Sequence, residues 1–243
     1  MEKLVYLLWG PGDPGDGDRL RTAILGETAP RLERAGVRAL GVNVHDTAAA
    51  EAPSPVPTPA EEQPHVAEVS VWVDSYDRRT GVDEAVVALG RRWAAYLVAE
   101  SLYEDYGTTS HSGPRDWPDG ERSPGVLTVS LIHRPPGLDY ATWIERWHGT
   151  QSPLSARLQP RCRYVRNEVV RALSPDAPEV HGIVEEAWPS ASVVADPMQF
   201  FCAGGDPAVL EVNLTAMLDS VRACLDLARL RNVTMSEYLV KTR

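Results

Sequence analysis

The sequence is short of cysteine, has no run of basic residues and no long apolar stretch, and each shortage excludes a class of protein. Its three cysteines, Cys162, Cys202 and Cys224, are odd in number and far apart. With no C-x-x-C pair, a disulfide framework, a zinc knuckle and a dithiol redox centre are set aside, and free thiols in a reducing cytoplasm are expected. Against 34 Asp and Glu there are 24 Lys and Arg, a formal net charge of −10. A surface of that sign does not attract nucleic acid or anionic membrane, so neither is expected as a partner. The opening "MEKLVYLLWGPGD" holds an apolar run too short for a signal-peptide core, and nothing approaches the roughly 20 apolar residues of a membrane span. A cytoplasmic location is the expectation. The six histidines are scattered, with no His-x-x-x-His pair and no facial carboxylate set, so no metal is expected. A glycine-rich dinucleotide fingerprint and a serine nucleophile elbow are both missing, and no cofactor is expected.

What is present is an ordinary globular composition. At 243 residues and 43% hydrophobic content, the chain can bury a core as one large domain or two small ones. Residues 46–65, rich in Pro, Ala and Glu, read as an exposed, partly extended loop. Residues 107–125, "GTTSHSGPRDWPDGERSPG", read as a linker between halves. On each side of it the periodicity gives the same order of elements. The half at 1–106 reads as strand 3–9, helix 18–35, strands 37–44 and 66–73, helix 82–93 and strand 94–103. The half at 126–243 reads as strand 125–134, helix 139–151, strands 162–170 and 182–188, helix 206–229 and strand 233–241. In that last helix Asp206 is the N-cap and Pro207 opens the first turn. Its expected buried face is Leu210, Leu214, Met217, Val221, Leu225 and Ala228.

Short matches recur in the same order in both halves: Gly26 and Pro30 with Gly149 and Pro153, Ala39 with Tyr164, Trp72 with Trp188, and Ala95 with Glu237. The fold class expected is α+β, with two ferredoxin-like βαββαβ units, each a four-stranded antiparallel sheet carrying helices on one face. Packed sheet to sheet in one chain, they make an α+β barrel that hides the open face of each small sheet.

The stretch "TWIERWHGTQSPL" carries the most chemistry. Tyr140, Trp143, Ile144 and Trp147 form an apolar helical stripe, and His148 and Gln151 fall in line with it. These two are either satisfied core groups or the lining of a site. Ser152-Pro153 has the form of an N-cap and first helical position, so a helix break is expected there, exposing N–H groups to an anion or carbonyl oxygen. On strand 162–170, Tyr164 and Arg166 share one face and Asn167 the other, so Tyr164 and Asn167 cannot enter one cavity without a bulge or a rim position. On strand 182–188, Glu186 shares a face with Trp188, and Glu185 takes the opposite one. At least one of these carboxylates is desolvated, as an acid/base group or as the partner of an arginine such as Arg166.

The segment 131–170, "LIHRPPGLDYATWIERWHGTQSPLSARLQPRCRYVRNEVV", with "GIVEEAW" and "DPMQFF" after it, resembles the EthD family of dimeric α+β-barrel proteins. The matching pieces are His133–Gly137, Trp147, Pro153, Tyr164-Val165-Arg166-Asn167 and Gly182–Trp188. The family's histidine slot holds Gln151, and a histidine stands instead at 148. The likeness covers most of 126–243; over 1–106 it rests on the internal repeat, where Leu25, Thr28, Ala39 and Val42 replace the polar set. The first half therefore reads as a degenerate copy that completes the barrel. The resemblance implies a cofactor-independent cyclase, decarboxylase, dehydratase or monooxygenase acting on a small apolar, aromatic or polyketide-like carbonyl compound. His148, Gln151 and Tyr164 would be catalytic, and Trp147, Asn167, Glu186, Trp188 and His133 would bind substrate. A non-catalytic ligand-binding or structural module is the other reading, and a homodimer is compatible with both.

Overall fold

Among residues 1–242, which the computed structural model describes, the apolar runs become eight strands. They are β1 (Glu2–Trp9), β2 (Ala39–Val44), β3 (His65–Val73), β4 (Arg92–Glu104), β5 (Val126–Ile132), β6 (Arg163–Ala172), β7 (Gly182–Trp188) and β8 (Arg231–Lys241). They close into one barrel in the order β1-β3-β2-β8-β5-β7-β6-β4, every pair antiparallel. Each half contributes its strands in the same order, β4-β1-β3-β2 and β8-β5-β7-β6, and the halves join edge to edge through β2–β8 and β4–β6. Closure leaves no free sheet edge. Strands such as β1 are buried on both faces, which is why they read as continuous apolar runs rather than as alternation.

Although the strand order repeats, the residue pairings read from sequence do not hold their register. Trp72 faces into the barrel opposite Lys3, whereas Trp188 lies on the outer face in contact with Phe200. Ala39 pairs inward with Trp72, while Tyr164 lies outward beside Glu186. A one-residue slip in a strand reverses the face, and short unaligned matches cannot see it.

The helices cover the outer faces. They are α1 (Pro14–Ala23), α2 (Ala29–Arg34), α3 (Thr80–Val87), α4 (Tyr140–Ile144), α5 (Ser152–Leu158), α6 (Ala191–Ala195), α7 (Pro197–Phe200) and α8 (Pro207–Cys224). Instead of the expected break at Ser152, a π-helical turn over Glu145–Gln151 joins α4 to α5, and a second over Ile24–Thr28 joins α1 to α2. Both have the same cause. Pro153 and Pro30 lack an N–H and crowd the carbonyl four residues back, which belongs to Gly149 and Gly26, so the turn widens. Ser152 is helical (φ −61°, ψ −47°), and its N–H bonds the Trp147 carbonyl. Its hydroxyl donates to the same oxygen at 2.9 Å, so it satisfies an acceptor rather than capping free N–H groups.

Helix α8 stops short of the expected end. Leu225 is extended and the Asp226 N–H turns back to the His133 carbonyl at 2.9 Å. Only Met217 and Cys224 of α8 are fully buried, and Leu214 is exposed, so the predicted buried face is covered in part. The two irregular segments are also more integrated than expected. The segment after β4 bonds to β8 through Gly120 and Ser123 and through Tyr106, whose hydroxyl donates to Glu237. The 46–65 loop crosses onto the second half, where Ser54 Oγ lies 2.8 Å from the Asn232 carbonyl, and Ala49 and Ala52 are buried. No helix among the described residues is long and apolar enough to cross a membrane.

The barrel interior is apolar toward one end, with Val5, Leu7, Val129, Leu131 and Ile183 in contact, and charged toward the other. There Lys3, Glu68, Arg163, Asn167, Glu185 and Glu237 are all buried. Gly125, which leads into β5, has φ +78°, and a Cβ there would lie 2.0 Å from the Trp188 carbonyl oxygen. Gly125→Ala is expected to cost more than about 2 kcal/mol, read as a lowered urea midpoint at unchanged m-value.

Candidate functional site

Between the outer face of β5, β7 and β6 and the helices above them lies a cavity of about 410 Å³. Its floor carries Thr128, Ser130, Val184, Glu186 and Trp188; Trp147, Gln151 and Ser155 descend from the π-turn and α5, and Met217, Leu218 and Val221 from α8. Pro55 and Val56 of the first half and Phe200 and Phe201 after α6 complete the wall. The lining is mostly apolar with a few polar groups, as small-molecule sites commonly are.

The polar groups converge on Tyr164. Trp147 Nε1 donates to its hydroxyl at 3.2 Å, and the Arg161 guanidinium lies 4.0 Å from its ring centroid. The nearby Ser152 hydroxyl spends its proton on the Trp147 carbonyl, which leaves the Tyr164 proton free for a ligand oxygen or for Ser152. Arg161 is buried and pairs with two carboxylates, Glu104 at 3.0 Å and Glu186 at 3.3 Å. One cation cannot fully offset two anions in a desolvated place. Burial raises the Glu186 pKa above the ordinary range, Arg161 lowers it in part, and Glu104 pushes it up again. Gln151 Nε2 touches Met217 Sδ at 3.2 Å, and Gln151 Oε1 has no partner.

Of the residues singled out from sequence, Trp147, Gln151, Tyr164, Glu186 and Trp188 line this cavity. Three others lie elsewhere. His148 is not in its wall; it sits beside the Trp147 ring, 4.6 Å between centroids, on the other flank of the π-turn. Burial, with the positive charge of Arg166 added, lowers its pKa to about 4, so it is neutral near pH 7. Asn167 points into the barrel and donates to Glu185 at 2.8 Å, because it alternates with Tyr164 and Arg166. His133 is tied to the Glu179 carbonyl at 2.7 Å and lines a separate polar cleft with Arg229 and Arg231.

Sequence reasoning missed Arg161 as the partner of Glu186 and offered Arg166 in its place. It also missed Pro55 and Val56, which reach the cavity only through the tertiary path of the 46–65 loop. The usable signal was "RCR" at 161–163, since two arginines entering a strand opposite a Glu-Glu pair have two faces to serve. Among the described residues no group of three or more His, Cys, Asp or Glu is placed to hold a metal ion.

Comparison with solved structures gives the fold. An anthrone oxidase-like protein superposes with a TM-score of 0.57 at 11% identity, over 98% of this chain and 93% of that one. The shared fold is an α+β barrel, eight antiparallel strands closed on themselves with helices outside. A proposed monooxygenase of Lactobacillus acidophilus aligns over 97% of this chain and 92% of its own, at 10% identity and a TM-score of 0.45. A dye-decolorizing peroxidase of Bacteroides thetaiotaomicron aligns over 98% and 93%, at 7% identity and a TM-score of 0.47. No family model matches the chain, and none of the curated proteins matches it by sequence.

Proposed function

We propose that this chain is an EthD-like enzyme that binds a small, largely apolar carbonyl compound in the cavity under α8 and moves a proton at a carbon whose anion is conjugated with that carbonyl. The observation that carries the reading is the meeting, in one apolar cavity, of a carboxyl of raised pKa with a hydroxyl whose proton is uncommitted. Glu186 as carboxylate takes the proton from carbon. The charge that develops on the carbonyl oxygen is met by the Tyr164 hydroxyl, and Glu186 returns the proton to carbon. A base of raised pKa is the stronger acceptor, and the Arg161 guanidinium at 3.3 Å favours its ionised form. Trp147 and Trp188 supply flat apolar surface suited to an aromatic body, and the Gln151 amide is placed to orient a second oxygen. Cyclisation, dehydration, decarboxylation and cofactor-independent oxygenation all pass through such a stabilised carbanion or enol, which is why the step and not the end product is named.

Anthrone, a rigid aromatic ketone with an activated methylene, is a suitable probe. Under anaerobic conditions in D₂O, the protein is expected to accelerate exchange of the methylene protons above the buffer rate. Glu186→Gln should lower that acceleration by about 10²-fold or more, the usual worth of a positioned base, with the melting temperature nearly unchanged. Saturable quenching of tryptophan fluorescence by anthrone with exchange at the buffer rate would make the protein a binding module and defeat the catalytic reading.

A further inference from the structure

Among the described residues three arginines are buried, Arg161, Arg163 and Arg166, and the last, on the outer face of β6, is the one without an acid. Arg161 pairs with Glu104 and Glu186, and Arg163 with Asp105, Glu185 and Glu237. Arg166 is 7% exposed, yet its hydrogen bonds go only to two serine hydroxyls, Ser152 at 3.1 Å and Ser101 at 2.8 Å. Its Nε has no partner, and no carboxylate acts on it among the described residues. Its guanidinium stacks on the Tyr103 ring, 4.7 Å from the centroid. Ser152 Oγ, which accepts from Arg166, donates to the Trp147 carbonyl, and next along the chain His148, packed on the Trp147 ring, has a buried Nε2 that is also without a partner. A desolvated cation with no counter-charge is costly, and an anion from outside the chain would offset that cost.

We propose that Arg166 and His148 form a binding site for the carboxylate of a small aromatic or otherwise planar acid, separate from the cavity under α8. A carboxylate brings one acceptor oxygen for each unpartnered nitrogen, one for Arg166 Nε–H and the other for His148 Nε2–H. Tyr103, which is exposed, marks the open side, where the body of the acid lies beside the ring that the guanidinium covers. The widened turn places His148 here and Trp147 and Gln151 over the cavity, so one helix segment serves two sites. This assignment does not depend on the reaction proposed above.

Benzoate is the probe, followed through the His148 imidazole resonances, with inorganic phosphate and chloride as the other arms. The expected result is a saturable shift with benzoate at millimolar concentration or below, a rise in the His148 pKa on saturation, and no saturation by chloride. Arg166→Met is expected to abolish the shift and to melt several degrees above the wild type without benzoate, because it removes an unpaired buried charge. Benzoate should then raise the melting temperature of the wild type but not of the variant. Should Arg166→Met fail to fold, His148→Ala provides the second test, with benzoate affinity expected to fall about tenfold by calorimetry. Absence of a saturable benzoate effect in the folded wild-type protein overturns the proposal. Saturation by phosphate and not by benzoate overturns the carboxylate assignment. Loss of this site would leave anthrone exchange unexplained and untouched, so the two readings fail separately.

Discussion

Replacing Glu185 by alanine is expected to cost about 3–5 kcal/mol at pH 7, the range for removing one partner of a buried ion pair. Glu185 sits at the charged end of the barrel interior, where Lys3 Nζ approaches it to 2.8 Å and Arg163 to 3.4 Å. Asn167 donates to the same oxygen as Lys3, at 2.8 Å. Burial by itself would raise the Glu185 pKa, but Lys3 and Arg163 hold it down to about 2. Alanine removes the centre of this set and leaves two desolvated cations with fewer anions. Lys3 keeps Glu100 at 3.1 Å and Arg163 keeps Glu237 at 2.9 Å, so the loss belongs within that range rather than beyond it. The double change Lys3→Met with Glu185→Leu should be clearly less destabilising than the sum of the single changes, because apolar side chains can fill a barrel core without desolvating charge. Urea midpoints for the four proteins of this cycle give the coupling. An additive cycle would show that the pair contributes packing alone.

The barrel was legible from the sequence because closure buries both faces of most strands. "KLVYLLW" and "GVLTVSLIHR" are apolar runs of strand length bounded by turn residues, and such runs locate strands even when they say little about faces. What the runs could not fix was register. The alternation on β6 did separate Tyr164 from Asn167, because three polar residues there mark both faces. It did not reveal that Trp72 looks inward and Trp188 outward, since a tryptophan is at home in the barrel or under a helix. The site was legible in the same uneven way. Local spacing put Trp147 and Gln151 together, but a helix wheel of 3.6 residues per turn also kept His148 with them. The π-turn caused by Pro153 adds a residue to that turn and separates His148 from the cavity. Arg161, Pro55 and Val56 are brought in by chain paths with no local signature, and only the closed barrel makes them neighbours.

Glu68→Gln is expected to leave stability near pH 4 almost unchanged and to raise it in alkaline solution by an amount on the order of a few kcal/mol. Glu68 on β3 faces the same interior, is fully buried and accepts from Ser70 Oγ at 2.7 Å. Burial, then the negative charge of Glu185, raise its pKa to about 8, with Lys3 opposing. An unfolded glutamate releases its proton near pH ~4.3, so between there and pH 8 the unfolded chain binds fewer protons than the folded one. Stability must then fall as pH rises through that window and level off above it. Glu185 has the opposite sign. Its depressed pKa stabilises the fold above pH ~4.3, and that contribution is lost as the pH falls toward 2. Two histidines act inside the same window. His65, held neutral by burial with its pKa near 4, and His148 both make the folded state lose stability as the pH falls below their ordinary value of about 6.5. They are present in both proteins and cancel in the difference. Glutamine reproduces the shape and the neutral charge of the protonated acid, so the difference in urea midpoint between Glu68→Gln and wild type should open as the pH rises from 4.5 to 8.5 and then stay constant. A difference independent of pH would mean that Glu68 is ionised throughout, with Lys3 shared among Glu68, Glu100 and Glu185, and four carboxylates, Glu237 included, would then face the two cations Lys3 and Arg163.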